Sequence, residues 1–165
     1  MSASEQHDVA ACARAWQTLR LAHERVARRL EAELGGTCAL TINEFDVLLY
    51  LRLHPEHALR ISTLQDAVSL SQPALSRLVA RLEERGLLAR CPSEDDGRAA
   101  DISLTPAGDA LIQRAIEVHA HAVHETLTSK LSDAEQRALL QALNRIGGDD
   151  PHPPTPSPVR TGEGE

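Results

Sequence analysis

Aromatic side chains are scarce in this chain of 165 residues, and their scarcity narrows the functions it can have. Phe, Trp and Tyr together make up 2% of the sequence, and the three rings are Trp16, Phe45 and Tyr50. Proteins that hold single-stranded nucleic acid by stacking its bases need a platform of such rings. The composition therefore argues against that class, and equally against carbohydrate sites built on aromatic faces.

Basic charge, long apolar runs and paired cysteines are also lacking. The formal net charge is −7, which argues against indiscriminate coating of nucleic acid or of an anionic membrane but leaves room for a local basic face. No run of about 18 apolar residues occurs, so we expect no transmembrane helix, signal peptide or membrane partner. Cys12, Cys38 and Cys91 are scattered, which predicts reduced thiols in the cytoplasm.

Signatures of catalysis and of cofactors are missing as well. The sequence has no glycine-rich phosphate loop, no H-E-x-x-H zinc motif and no G-x-S-x-G nucleophile turn. The pairs His54-x-x-His57 and His121-x-x-His124 supply two imidazoles each, whereas a zinc site needs three or four ligands. We therefore expect a protein that is not an enzyme and that has no cofactor and no metal site.

What the sequence does contain is a strong helical pattern, since Leu and Ala dominate its 42% of hydrophobic residues. Apolar residues recur at spacings of three and four over 9–34, which predicts one long helix that ends at Gly35-Gly36. Capping boxes, in which Ser or Thr precedes Glu or Gln by three positions, predict the starts of three further helices. These boxes are Thr41-x-x-Glu44, Ser62-x-x-Gln65 and Ser132-x-x-Glu135.

The middle of the chain has the pattern of a helix, a hairpin and a second long helix. A helix is predicted over 72–85, and two short apolar stretches, 87–91 and 99–104, flank a polar turn and predict a β-hairpin. Thr105-Pro106 is a strong helix start, and that helix is expected to run to about residue 131. The order predicts a mainly α fold with a small β-hairpin wing, a winged helix–turn–helix joined to long flanking helices.

Four segments follow from this pattern. Residues 1–36 form the N-terminal helix, 37–104 the winged helix–turn–helix, and 105–148 the C-terminal helices. The remaining segment, 149–165, holds five of the nine prolines without a hydrophobic pattern, so we expect a disordered tail.

The predicted helix 72–85 has two unlike faces. Leucines and a valine fall on one side, whereas Pro73, Ser76, Arg77, Ala80 and Arg81 fall on the other. Small side chains with two arginines suit close approach to a DNA major groove, although an ordinary solvated helix face has a similar composition.

The hairpin tip offers a second candidate contact. Arg98 is suited to a narrow minor groove, and Asp96 could hold its guanidinium in place, although a plain polar turn also fits these residues.

Several of these residues resemble the MarR family of bacterial transcriptional regulators. The carrying motifs are R-L-E-E-R-G-L-L at 81–88, D-G-R at 96–98 and L-T-P-A-G at 104–108, and the resemblance covers about 5–146. It implies a homodimer on a pseudo-palindromic operator of double-stranded DNA. In that dimer 37–104 is the winged DNA-binding domain, and the N-terminal helix 1–36 with the C-terminal helices 105–148 forms the helical dimerisation region. The DNA-binding residues that it implies are Ser71, Gln72, Pro73, Ser76, Arg77 and Arg81 at the major groove, Arg98 at the minor groove, and Asp96 orienting the wing.

The resemblance also implies repression that a small, often phenolic, effector relieves. The first two helices line the effector cavity in similar proteins, so the candidate ligand-binding residues are Trp16, Arg20, His23, Phe45 and Tyr50. The three rings could equally be core residues. Two other functions stay open, namely redox sensing through Cys12 near a helix start and a helical dimerisation scaffold that binds no DNA.

Overall fold

A computed structural model describes residues 3–54, 58–68, 70–92 and 100–147 of the chain. The helices in these ranges are α1 (Ala3–Cys38), α2 (Ile42–Leu53), α3 (Ile61–Ala67), α4 (Gln72–Glu84), α5 (Pro106–Thr126) and α6 (Asp133–Gly147). The strands are β1 (Ala58–Arg60), β2 (Leu88–Pro92) and β3 (Ala100–Leu104), and a single 3-10 turn, Thr128–Lys130, follows α5. The expected architecture, mainly helical with a small β wing, is confirmed.

The first helix ends later than its glycines predicted. It passes through Gly35 and Gly36, which are both exposed, and it stops at Cys38, which is buried. Ala39 then takes a left-handed conformation with φ of 52°. The extra residues allow Cys38 to join Leu34 in the core, and that burial outweighs the weak helix propensity of glycine.

The capping boxes explain two helix starts and fail at a third. Thr41 and Glu44 form the predicted reciprocal box at α2, and the Ser132 hydroxyl and backbone both hydrogen-bond Glu135 at α6. Those bonds hold the pKa of Glu135 below its ordinary value. The prediction that Ser62 caps α3 was wrong, because β1 leads straight into the helix and Arg60 occupies the N-cap position without a side-chain cap.

The wing is a three-stranded antiparallel sheet in the order β1-β3-β2. The predicted hairpin is present as β2 and β3, in a register that pairs Leu88 with Leu104 and Arg90 with Ile102. No pattern in the sequence predicted β1, because three residues are too few to show an alternating pattern. The hairpin tip, 93–99, and the tail, 149–165, fall outside the described ranges, so the predictions for both remain predictions.

The hydrophobic core lies within the winged module and against α5. Leu48, Leu64, Leu75, Leu82 and Ile112 are fully buried there. By contrast, α6 buries no residue, and α1 leaves large apolar side chains exposed along its first two thirds. In the part of the chain described, no helix is long and apolar enough to cross a membrane.

Candidate nucleic-acid interface

Helix α4 presents the two faces that its sequence predicted. Its apolar side chains are buried in the core of the module, namely Leu75, Leu78, Val79 and Leu82. The opposite side chains are all exposed, namely Gln72, Pro73, Ser76, Arg77 and Arg81. Ser71 is also exposed at the N-cap position, where its side chain makes no capping bond. The predicted major-groove residues therefore share one accessible surface, while their contact with DNA stays a prediction.

A buried carboxylate stands behind the C-terminal half of this face. Glu44, at the start of α2, has a side chain that is 7% exposed, and its Oε1 atom lies 3.8 Å from Arg81 Nε and 3.5 Å from Arg85 Nη1. Arg85 also donates a hydrogen bond from Nη2 to the Ala39 carbonyl at 2.8 Å. The sequence around Glu44 predicted that it caps α2, but nothing near it in the sequence predicted that Arg81 and Arg85 would lie beside it.

The motifs at 81–88 and 104–108 contact each other in the folded chain, and the residues that connect them have a structural role. The Thr105 hydroxyl donates to the Gly86 carbonyl at 2.7 Å and accepts from the Gly108 amide at 3.0 Å. A Cβ atom at Gly108 would overlap the Leu87 carbonyl oxygen, so only glycine fits where the first turn of α5 meets the segment between α4 and β2. These residues fix the base of the wing relative to α4.

The described part of the wing carries one further ion pair next to α4. Arg90 on β2 donates from Nε to Glu83 Oε1 at 2.9 Å, which ties the strand to the helix. The last residue pair described in the hairpin is Pro92 with Ala100. Asp96 and Arg98 fall between these two positions in the sequence and are outside the described residues. Their proposed roles at the minor groove remain predictions.

The predicted effector residues occupy unlike environments. On α1, Trp16 is 65% exposed, His23 is exposed, and Arg20 forms an exposed ion pair with Glu24. On α2, Phe45 is 2% exposed and Tyr50 is partly buried, and both belong to the packed core of the module or its margin. The alternative that the rings are core residues thus fits Phe45 and does not fit Trp16.

The buried ring of Phe45 stacks on an imidazole that sequence analysis did not single out. The centroids of Phe45 and His119 are 4.6 Å apart with an interplanar angle of 10°. Burial lowers the pKa of His119, because desolvation disfavours its charged form. This stack joins α2 of the winged module to the middle of α5.

A cavity that the sequence did not predict lies where α2 meets the start of α5. It measures about 490 Å³ and is lined by Arg52, Leu53, Leu104, Thr105, Pro106 and Asp109. Arg52 and Asp109 form an ion pair at its edge, and both are partly exposed. A guanidinium beside apolar walls can hold a small carboxylate, which makes this cavity a further candidate effector site.

The remaining candidates for chemistry in the described ranges are the cysteine thiols and the side chains that could bind a metal ion. Cys12 and Cys91 are free and exposed, and Cys38 is free and buried. Among the residues that the structure describes, no group of three or more His, Cys, Asp or Glu is placed to hold a metal ion.

Comparison with known proteins agrees with this geometry. A model of the MarR family matches residues 40–99. The chain is 35% identical to the HTH-type transcriptional regulator PecS of Dickeya dadantii over 108 residues, which are 65% of this chain but 64%, just under two thirds, of PecS. It is 31% identical over 128 residues to the HTH-type transcriptional repressor Mb2911 of Mycobacterium bovis, covering 76% of this chain and 90% of that protein.

Solved structures share the fold. Sco3205, a MarR family regulator of Streptomyces coelicolor in complex with DNA, superposes with a TM-score of 0.76 at 23% identity and covers 92% of this chain and 95% of its own. BpsR of Bordetella bronchiseptica, whose DNA binding is regulated by 6-hydroxynicotinic acid, superposes with a TM-score of 0.72 at 26% identity. The match covers 81% of this chain and 93% of the BpsR chain. The relatives are transcriptional regulators rather than enzymes. The chain belongs to the MarR family and is a DNA-binding transcriptional regulator of the winged helix–turn–helix type.

Proposed function

We propose that this protein is a cytoplasmic homodimeric repressor that holds a pseudo-palindromic operator through α4 and the wing and releases it when a small aromatic acid binds. The observation that carries the proposal is the exposed face of α4. The charged residues of this face, Arg77 and Arg81, are both basic, and the opposite face of α4 is buried in the core. Such a helix is rigidly held and can bring small side chains and arginines to base edges.

Homodimerisation is supported by the apolar surface that α1 and α6 leave exposed. The exposed large side chains are Val9, Trp16, Leu19, Leu21, Leu140, Leu143 and Ile146. Extended apolar surface of this kind marks an interface. Two copies joined along these helices would present two α4 helices to one duplex, which multiplies the modest number of phosphate contacts that one acidic chain can make.

The effector is proposed by analogy with BpsR, which responds to a hydroxylated aromatic acid. In this chain, Trp16, Arg20 and His23 offer an accessible ring and polar groups on α1, with Phe45 and Tyr50 on α2. The cavity beside Arg52 adds a guanidinium that suits a carboxylate. An oxidant acting on the exposed thiol of Cys12 is the alternative signal, and a dimerisation scaffold is the alternative function.

The DNA-binding part is tested by fluorescence anisotropy on the duplex upstream of the protein's own gene. Arg77→Ala should weaken binding by about 1–3 kcal/mol if the side chain reads a base, and it should then relax preference at that position. Uniform weakening across sequences would instead assign Arg77 to a phosphate.

The matched control is Arg114→Ala, which removes an exposed arginine from α5 and should leave DNA binding unchanged. A dimer that shows no salt-sensitive, sequence-preferring binding would rule out the repressor in favour of the scaffold.

A further inference from the structure

Glu44 is the one charged side chain that is buried among the described residues, and it faces the proposed DNA-binding helix. Its two carboxylate oxygens have different partners. Oε2 accepts the Thr41 amide at 2.9 Å and completes the capping box, whereas Oε1 faces Arg81 and Arg85. A residue whose sequence signature is that of a helix cap is therefore also the counter-ion of Arg81 on α4 and of Arg85 at its C-cap.

The distances show that Arg81 is attracted without being held. A charge-assisted hydrogen bond between guanidinium and carboxylate is about 2.7–2.9 Å long, but Arg81 Nε lies 3.8 Å from Glu44 Oε1. The Arg81 side chain remains 56% exposed on the face it shares with Ser76 and Arg77. Arg85 is more constrained, since it also donates to the Ala39 carbonyl. Arg81 is thus the cation of this cluster that can turn to another anion.

We propose that Glu44 competes with DNA phosphate for Arg81 and thereby lowers the sequence-independent affinity of the protein for DNA. This inference rests on the proposed role of α4. Phosphate contacts by Lys and Arg supply nearly all non-specific binding, whereas base-edge contacts supply specificity. A carboxylate buried behind the arginine is screened by salt less than a surface acid is, so its attraction persists at physiological ionic strength. Glu44 acts through Arg81 as a positioning residue that favours specific over non-specific binding.

The test is Glu44→Gln, measured on a short labelled duplex of random sequence between about 50 and 200 mM salt. Gln is accepted at this position of a capping box, so α2 keeps its start. Freed of the carboxylate, each Arg81 at the DNA should gain about one phosphate contact, which steepens the slope of log K against log salt by about 0.9. Across this salt range that corresponds to about a 3-fold larger loss of affinity per arginine, and to about a 12-fold larger loss for a dimer in which both copies of Arg81 contact DNA.

Glu84→Gln is the matched control, because it removes the same charge from an exposed position on α4. It should leave the slope at the wild-type value. If Glu84→Gln steepened the slope as much as Glu44→Gln does, the change would be a general effect of net charge, and the proposal would fail. An unchanged slope in Glu44→Gln would also overturn the proposal.

Arg81→Ala provides an independent check. In that background Glu44→Gln should no longer change the slope, and a persistent change would contradict the assignment of Arg81. If Glu44→Gln unfolds, Arg81→Ala in the otherwise wild-type chain should lower the slope by less than the roughly 0.9 per copy that a full phosphate contact contributes, since Glu44 already partly neutralises Arg81. A decrease by that full amount would refute the inference. If neither Arg77→Ala nor Arg81→Ala alters DNA binding, it is the role of α4 that fails.

Discussion

At the scale of single residues, the glycines of this chain differ sharply in what they do. Gly108 is buried where α5 begins, and its missing side chain lets the Leu87 carbonyl approach. Gly35 lies within α1 with no atom within 4 Å of the position its Cβ would take. Glycine is thus sterically required at position 108, whereas at position 35 it only lowers the stability of the helix.

Gly108→Ala should destabilise the fold by about 1–3 kcal/mol, because the new methyl group overlaps the Leu87 carbonyl and pushes α5 from the wing. Gly35→Ala should stabilise it by about 0.5–1 kcal/mol by removing a flexible residue from a helix interior. Urea denaturation of both variants measures the two shifts. Equal effects of the same sign would show that the close approach at Gly108 does not exist in solution.

At the scale of elements, α2 packs against α5 partly through the stack of Phe45 on His119, whose charged form burial disfavours. Burial lowers the pKa of this residue from an ordinary value of 6.5, so the unfolded chain binds its proton more readily than the folded chain does. The stability due to this imidazole is complete above about pH 6.5 and is lost as the pH falls toward the lowered pKa.

We therefore expect the free energy of unfolding to fall on acidification from about pH 7.5 to 5 more steeply in the wild type than in His119→Phe, which keeps a ring against Phe45 but cannot titrate. His121→Asn, at an exposed position of the same helix, should behave like the wild type. Chemical denaturation at several pH values measures this. Parallel pH profiles for wild type and His119→Phe would show that the imidazole is not buried against α2.

At the scale of the whole molecule, the winged module contains the core while α1 and α6 expose apolar side chains. The distribution explains how one chain can have an overall charge of −7 and still bind DNA. The proposed binding surface is small and locally basic, and in the proposed dimer the exposed apolar helices would pair two such surfaces.

Leu140→Asp together with Leu143→Asp should weaken the proposed dimer by about 12- to 150-fold for each leucine side chain buried at the interface, since burying one such side chain contributes about 1.5–3 kcal/mol. Gln141→Asp adds the same charge at an exposed polar position of α6 and should leave the dimer intact. Analytical ultracentrifugation gives the dissociation constants. A double variant that still sedimented as the wild type does would place the interface elsewhere.

The sequence by itself determined the helices whose signals are local. The starts of α2, α5 and α6 follow from caps within four residues, and the two faces of α4 follow from its own periodicity. The extent of α1 did not follow, since the burial of Cys38 depends on the core that α1 meets, and β1 is too short to carry a pattern.

Only the tertiary structure decided which distant residues meet. It placed Glu44 beside Arg81, Phe45 against His119, and Arg52 against Asp109 at the edge of a cavity. The physical reason is that capping and amphipathicity are interactions within one element, which the order of residues encodes directly. A counter-ion, a stacked ring or a cavity depends on how elements pack, and that is settled only when the whole core forms.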